Sequence, residues 1–258
     1  ETEMILRSIT RHVHDQNWVA VGIDFLIVVV GVFIGIQVSN WNEARGAALR
    51  ELEYLEQLID EIESNNELLD YRVSYTKAVV SAGARMAVFM ESDTACEGQC
   101  TEILIDAFHA SQLWGADVRD DVSTEMQRQG LPRSIDLKKK LRFYQRFTDG
   151  LETTLENAAQ YRERSRRLTP LATQRLLWAA CYVLEKNTLE VLVTGCDVDV
   201  PDIEAAQILA GFRSAEGLLG DLNYWIGQND LWRTVFEDHI DLGTQLIADI
   251  KDEIGARR

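Results

Sequence analysis

Apolar positions follow three different patterns along the chain. From residue 18 to residue 38 the sequence WVAVGIDFLIVVVGVFIGIQV is apolar on every side and holds one charge, Asp24. About 21 residues at 1.5 Å of rise cover roughly the 30 Å of a bilayer's hydrocarbon, so the stretch predicts one uncleaved transmembrane helix. A core helix of that length would keep a polar side. Trp18 and Trp41 stand at its two ends, where amphipathic rings prefer the headgroup level.

From residue 42 to residue 92 the pattern becomes periodic. Ala48, Leu52, Leu55, Ile59, Ile62, Asn66, Leu69 and Val73 recur at spacings of four and three, while Glu51, Glu53, Glu56, Asp60, Glu61 and Glu63 fall outside that seam. Asn66 takes a seam position at which a polar residue can fix register or oligomer state. A coiled-coil-like stalk and an amphipathic helix packed inside the chain require the same stripe, and both remain open.

Beyond residue 93 shorter amphipathic segments alternate with breakers. Helices are expected from Thr101, from 134 to 168, from 171 to 186, from 201 to 213, and from 214 nearly to the carboxyl end, with Gly130, Pro132, Pro170 and Pro201 as punctuation. The run 188–194 is strand-like, yet one such run does not support a sheet. The expected fold is all-α: an N-terminal transmembrane helix followed by an extramembrane antiparallel helical bundle. Its parts are a short cytoplasmic tail (1–17), the membrane helix (18–41), a membrane-proximal helical segment (42–92) and a bundle domain (93–258) that packs with it.

Charge narrows the partners. Asp and Glu number 42 against 26 Lys and Arg, a net charge of −16 over 258 residues, which opposes binding to a phosphate backbone and excludes nucleic acid as the expected partner. Against that background the segment 134–168 collects Lys138, Lys139, Lys140, Arg142, Arg146, Arg162, Arg164, Arg166 and Arg167. We read it first as compensation for the acidic helix at 51–67 inside the bundle; its alternative is a docking face for an acidic partner or anionic lipid headgroups.

The four cysteines all follow the apolar stretch and form two local pairs, Cys96 with Cys100 and Cys181 with Cys196. Two local disulfides are expected, though four cysteines allow three connectivities. Arg7 and Arg11 before the membrane balance Arg45 and Arg50 after it, so the cysteines decide the topology: amino terminus cytoplasmic, large domain periplasmic, in a bacterial inner membrane. A zinc knuckle with C-x₂-C spacing is absent, and His12, His14, His109 and His239 are scattered, so no metal, cofactor or catalytic residue is expected. The acids around His239 in Phe236-Glu237-Asp238-His239-Ile240-Asp241 read as a solvated face. Trp114, Trp178, Trp225, Trp232, Tyr161, Tyr182 and Tyr224 read as core, with a ligand pocket as the alternative.

Within the membrane helix Asp24, Gly31 and Gly35 fall within about 20° of one line, and the two glycines have the GxxxG spacing that admits a second helix backbone. A carboxylate at that depth costs about 2.5–3.5 kcal/mol if it faces lipid, so this face is expected to meet protein. The stretch, with an acidic residue near its start and Gln37-Val38-Ser39-Asn40-Trp41-Asn42-Glu43 at its end, resembles an uncharacterised bacterial family of small membrane proteins over the first 45 residues or so. That resemblance implies a bacterial membrane anchor and no activity. A looser similarity is to proton-driven motor stator subunits, in which Asp24 would be the proton carrier. The expected function is non-enzymatic: association with other transmembrane helices, as a homo-oligomer or as an accessory subunit of a membrane complex. The alternatives are an ion-coupled, stator-like subunit using Asp24 and a periplasmic ligand-sensing module; the second is disfavoured because no output domain is seen beside the anchor.

Overall fold

The computed structural model describes residues 18–114, 118–155, 159–185 and 189–257. Among these the chain forms eight helices and one hairpin: α1 Trp18–Glu91, α2 Cys100–Ala110, α3 Asp121–Arg128, α4 Ile135–Leu155, α5 Gln160–Leu168, α6 Leu171–Cys181, β1 Tyr182–Glu185, β2 Leu189–Leu192, α7 Asp202–Ser214 and α8 Leu218–Arg257. The fold is all-α, as the periodicity predicts. By contacts it divides into two units, Glu1–Glu53 and Tyr54–Arg258.

In the larger unit the heptad stripe of α1 is consumed within the chain. Leu55, Ile59, Ile62, Leu69 and Val73 are buried. Their neighbour is α8, which runs antiparallel: Glu63 meets Lys251 Nζ at 3.3 Å, Asn66 Nδ2 lies 3.4 Å from Thr244 Oγ1, and Lys77 Nζ lies 3.7 Å from Glu237. Two glycines permit the close approach. A Cβ on Gly243 would sit 2.6 Å from Asn66 Oδ1, and one on Gly83 would sit 2.6 Å from Ile226 Cγ1. The packing that a stalk would offer to another chain is therefore taken up by an intramolecular bundle over this part of α1.

The main core gathers Leu104, Phe108, Tyr161, Leu177, Leu209, Phe212, Leu222, Trp225 and Trp232 from α2, α5, α6, α7 and α8. Trp225 is fully desolvated and keeps its indole N–H satisfied by donating to the Ala110 carbonyl at 2.9 Å. A short helix, α3, is held from α1 at its amino end. Glu61 accepts the backbone N–H groups of Val122 (2.7 Å) and Ser123 (3.2 Å), which have no partner inside the helix. Asn65 exchanges two hydrogen bonds with the Arg119 backbone, at 2.8 and 2.9 Å. Gly130, with φ +76°, ends α3 in the left-handed region that glycine tolerates.

Three boundaries differ from the sequence expectation. The helix expected over 134–168 is two helices, α4 and α5, with 156–158 outside the described residues. The helix expected over 171–186 ends at Cys181, where the chain turns extended and pairs as β1 with β2, Tyr182 opposite Leu192 and Glu185 opposite Leu189. The strand-like run thus finds a partner in the segment just before it, while Thr188 lies outside the described residues. α3 is an additional helix in a segment read only as punctuated.

Candidate functional site

In the first unit the apolar part of α1 has no buried side chain. Thirteen large apolar side chains between residues 21 and 38 are exposed, among them Phe25 (70%), Ile27 (63%) and Phe33 (60%). At about 1.5–3 kcal/mol for each such side chain, roughly 20–40 kcal/mol of burial is left unrealised, more than the whole stability of a typical domain. The long apolar α1 fits a single-pass membrane protein. Asp24 is exposed on it, and a Cβ at Gly31 or Gly35 would meet nothing within 4 Å. The face shared by these three residues is open among the described residues. Trp41 is exposed (64%), with the Arg45 guanidinium 5.7 Å from its ring centroid. Trp18 opens the helix, but its side chain lies outside the described residues, as do Arg7, Arg11, His12 and His14.

The cysteines pair locally. Cys96–Cys100 joins Cα atoms 4.9 Å apart and ties the loop before α2; Cys181–Cys196 joins Cα atoms 5.2 Å apart and closes the segment holding the hairpin. Both bridges fit an oxidising compartment. His109 comes within 4.8 Å of the Cys181 and Cys196 sulfurs. Those sulfurs are bonded to each other and offer no thiolate to a metal, and His109 Nε2 faces the Cys181 carbonyl at 3.3 Å. Burial holds the His109 pKa below its ordinary value.

A cluster of arginines and aromatic rings joins α1, α2, α5 and the hairpin. Arg72 is buried, its guanidinium carbon 3.2 Å from the Trp114 ring centroid, and Tyr71 and Tyr75 pack on the same indole at 5.3 and 5.5 Å. Tyr71 donates to the Glu190 carbonyl at 2.9 Å. Arg162 donates to the Ser111 carbonyl at 2.8 Å, and Arg166 lies 4.7 Å from the Trp178 ring centroid and 5.6 Å from that of Phe108. Burial, with the neighbouring Arg162 charge, pushes Arg166 down to about 10; burial lifts the Glu190 carboxyl above its usual range despite the nearby arginines. The aromatic residues fall into three groups. Trp225, Trp232 and Tyr161 are core, Trp114, Trp178 and Tyr182 are half-buried around the arginines, and Tyr224 is exposed.

Arg162, Arg164 and Arg166 of α5 are therefore absorbed by the bundle, though not by the acidic part of α1, while Arg167 stays exposed. Arg164 pairs with Asp221 and the Glu216 carbonyl, and Arg167 pairs with Glu163. In α4 the outcome differs. Lys140 bridges Asp136 (3.3 Å) and Asp249 (2.8 Å), and Lys138 donates to the Gly130 carbonyl. Lys139, Arg142 and Arg146 have no ion-pair partner among the described residues. They line an open groove of about 630 Å³ with Thr124, Gln127, Gln145, Asp120 and Asp149.

His239 corrects the solvated-face reading of 236–241. It is fully buried, stacked on Tyr144 (4.5 Å between centroids) and Phe147 (5.2 Å), with Nε2 3.3 Å from Thr148 Oγ1. Burial lowers its pKa to about 4 and raises that of Tyr144 to about 12. The acids beside it do face outward: Glu237 takes Arg233 at 2.9 Å. His239 falls on the three-four spacing of the buried Trp232, Phe236, Gly243, Leu246 and Ile250, a local sign of facing inward that outweighs the acids beside it, and α4, some ninety residues away, supplies its aromatic neighbours.

No protein-family model, curated protein or solved structure matches the chain.

Proposed function

We propose that this chain is a non-enzymatic, single-pass protein of a bacterial inner membrane whose work is association. In this reading residues 18–41 cross the bilayer, with the amino terminus cytoplasmic and the disulfide-bonded bundle periplasmic. The Asp24, Gly31 and Gly35 face docks on another transmembrane helix, from a second copy or a larger membrane complex. The observation that carries the reading is the complete exposure of the apolar stretch beside a domain whose own core is closed by Trp225, Phe212 and Leu222. Such a helix is not a strut of the bundle; it needs lipid or a partner around it. The glycines leave room for a backbone to come close, and a carboxylate among apolar neighbours favours a protein-facing side. Asn66 joins α1 to α8 through Thr244, so its proposed part in register is exerted within one chain.

The test is association in a membrane two-hybrid assay. Gly31→Leu combined with Gly35→Leu should weaken the signal while leaving membrane insertion unchanged. An undiminished signal from the double variant removes this face as the contact.

A further inference from the structure

The two disulfides differ in what surrounds them. A ring nitrogen of His109 and the sulfurs of Cys181 and Cys196 all lie within 4.8 Å of one another, and among the described residues no histidine or acid makes such a group with Cys96 and Cys100. His109 and Cys181 are buried, whereas Cys196 is half-buried. A bridge inside a core is chemically complete without an imidazole beside it; an apolar side chain would fill the same place without the cost of burying a polar ring. Among the described residues the polar contact of the His109 side chain is the approach of Nε2 to the Cys181 carbonyl at 3.3 Å, and that carbonyl already accepts the Val193 N–H at 3.0 Å. Burial lowers the His109 pKa and so favours the neutral ring, the form that ligates metals.

The groups are held together by more than the sulfur–sulfur bond. Cys181 closes α6 and leads into β1, where the ladder sets Tyr182 opposite Leu192 and the Val193 N–H bonds back to Cys181. Cys196 stands three residues beyond Val193, after a turn through Gly195 at φ +73°, so the hairpin keeps it within reach of Cys181 when the bridge is open. His109 is carried by α2 beside Ala110, whose carbonyl takes the Trp225 indole N–H. A tetrahedral zinc ion, with bonds of about 2.3 Å to sulfur and about 2.0 Å to nitrogen, sets such ligand atoms roughly 3.5–3.8 Å apart. The histidine therefore has to close by no more than about 1.3 Å, while the sulfurs part as their bond is lost. Two thiolates and a neutral imidazole carry two negative charges, so a divalent ion leaves the buried site neutral; Cu(I) would leave it negative.

We propose that Cys181–Cys196 is a switchable bridge: reduced by a dithiol, it becomes a zinc site in which the Cys181 and Cys196 thiolates and the His109 imidazole take three tetrahedral positions and a water takes the fourth. The dithiol attacks the half-buried Cys196 sulfur, and Cys181 leaves as a thiolate. The second sulfur of the dithiol then displaces Cys196. The dithiol ends as its own disulfide, its two electrons pass to the protein sulfurs, and its two protons end on the two cysteines. Zinc binding releases those protons to solvent. Every residue involved lies in the unit Tyr54–Arg258, so the inference stands apart from the membrane reading.

The experiment uses the full chain in detergent with Cys96→Ser and Cys100→Ser, which leaves one bridge. The protein is reduced with dithiothreitol, freed of it by anaerobic gel filtration, and titrated with Co²⁺ and then Zn²⁺. One Co²⁺ per chain is expected, with the thiolate-to-cobalt band and the visible bands of a tetrahedral ion, displaced by Zn²⁺; the oxidised protein should bind neither. His109→Gln should weaken binding at least about a hundredfold. Zinc should raise the unfolding temperature of the reduced protein and leave that of the oxidised protein unchanged. X-ray absorption at the zinc edge reads the ligands with His109 in place and should find two sulfurs and one imidazole. The proposal is overturned if the reduced protein binds no cobalt, if the zinc has two sulfurs and no imidazole, or if His109→Gln binds as tightly. Zinc bound without a rise in unfolding temperature, as on the thiols of an unfolded chain, overturns it equally.

Discussion

The apolar stretch of α1 and the bundle core are made from the same kinds of side chain, yet they meet opposite fates. Val28, Ile34 and Phe33 are more than half exposed, whereas Leu58, Leu69 and Phe212 are at or within 1% of full burial. What separates them is pattern. In the bundle, apolar residues share each helix with a charged stripe, so one face has somewhere to go and the other meets water. In the stretch 21–38 no face is polar, and none of its described residues is buried. Apolar content alone does not make a core; the distribution of polar residues around the helix decides which solvent it is made for.

That contrast can be broken most sharply by truncating aromatics in each region. Trp225→Ala should cost the domain about 3–5 kcal/mol in denaturant unfolding, because it empties a desolvated site and orphans the Ala110 carbonyl. Phe33→Ala should leave the same transition within about 0.5 kcal/mol. Equal losses would mean that the apolar stretch belongs to the domain's core after all.

Next in size are the two covalent and titratable restraints that only the bundle has. Opening Cys181–Cys196 removes a loop restraint of about 3 kcal/mol in the chain-entropy model, and opening Cys96–Cys100 about 2 kcal/mol, both read as lowered stability under reducing conditions. His239 supplies a pH dependence. Its folded pKa of about 4 lies below the ordinary 6.5, so the unfolded chain binds the extra proton first. The stability this neutral imidazole contributes is present above pH 6.5 and is lost as pH falls toward about 4, by about 3 kcal/mol. His239→Phe, which keeps a ring between Tyr144 and Phe147, should flatten that part of the pH profile; an unchanged profile would show that the carboxylates alone set it.

The smallest effects come from glycines, and they distinguish the regions by kind. Gly243→Ala forces a Cβ against Asn66 and Ile62 and should destabilise the bundle by about 1–3 kcal/mol. Gly31→Ala and Gly35→Ala meet no described atom and should leave unfolding unchanged while reducing association in the membrane.

Much of this was legible in the residues. The length of the apolar run, the three-four spacing of Leu55 to Val73 and the local spacing of the cysteine pairs are properties of nearby residues, and each finds its counterpart in the fold. What was hidden depends on partners far along the chain. Glu61 belongs to an acidic run, yet it accepts the amino end of α3, sixty residues later. The acids beside His239 make it look solvated, although the three-four spacing of Trp232, Phe236 and Leu246 already sets it on the buried stripe that α4 covers. The arginines of α5 were grouped with those of α4 by sequence, but only tertiary packing turns Arg166 onto Trp178 and leaves Arg142 and Arg146 outward.

The most direct test is flotation of the full chain with vesicles after extraction in alkaline carbonate. The account predicts that the protein floats with the lipid and is released only by detergent, its disulfide-bonded domain still folded. Recovery of folded, monomeric protein in the carbonate supernatant, with residues 21–38 protected from solvent and no lipid bound, would contradict it.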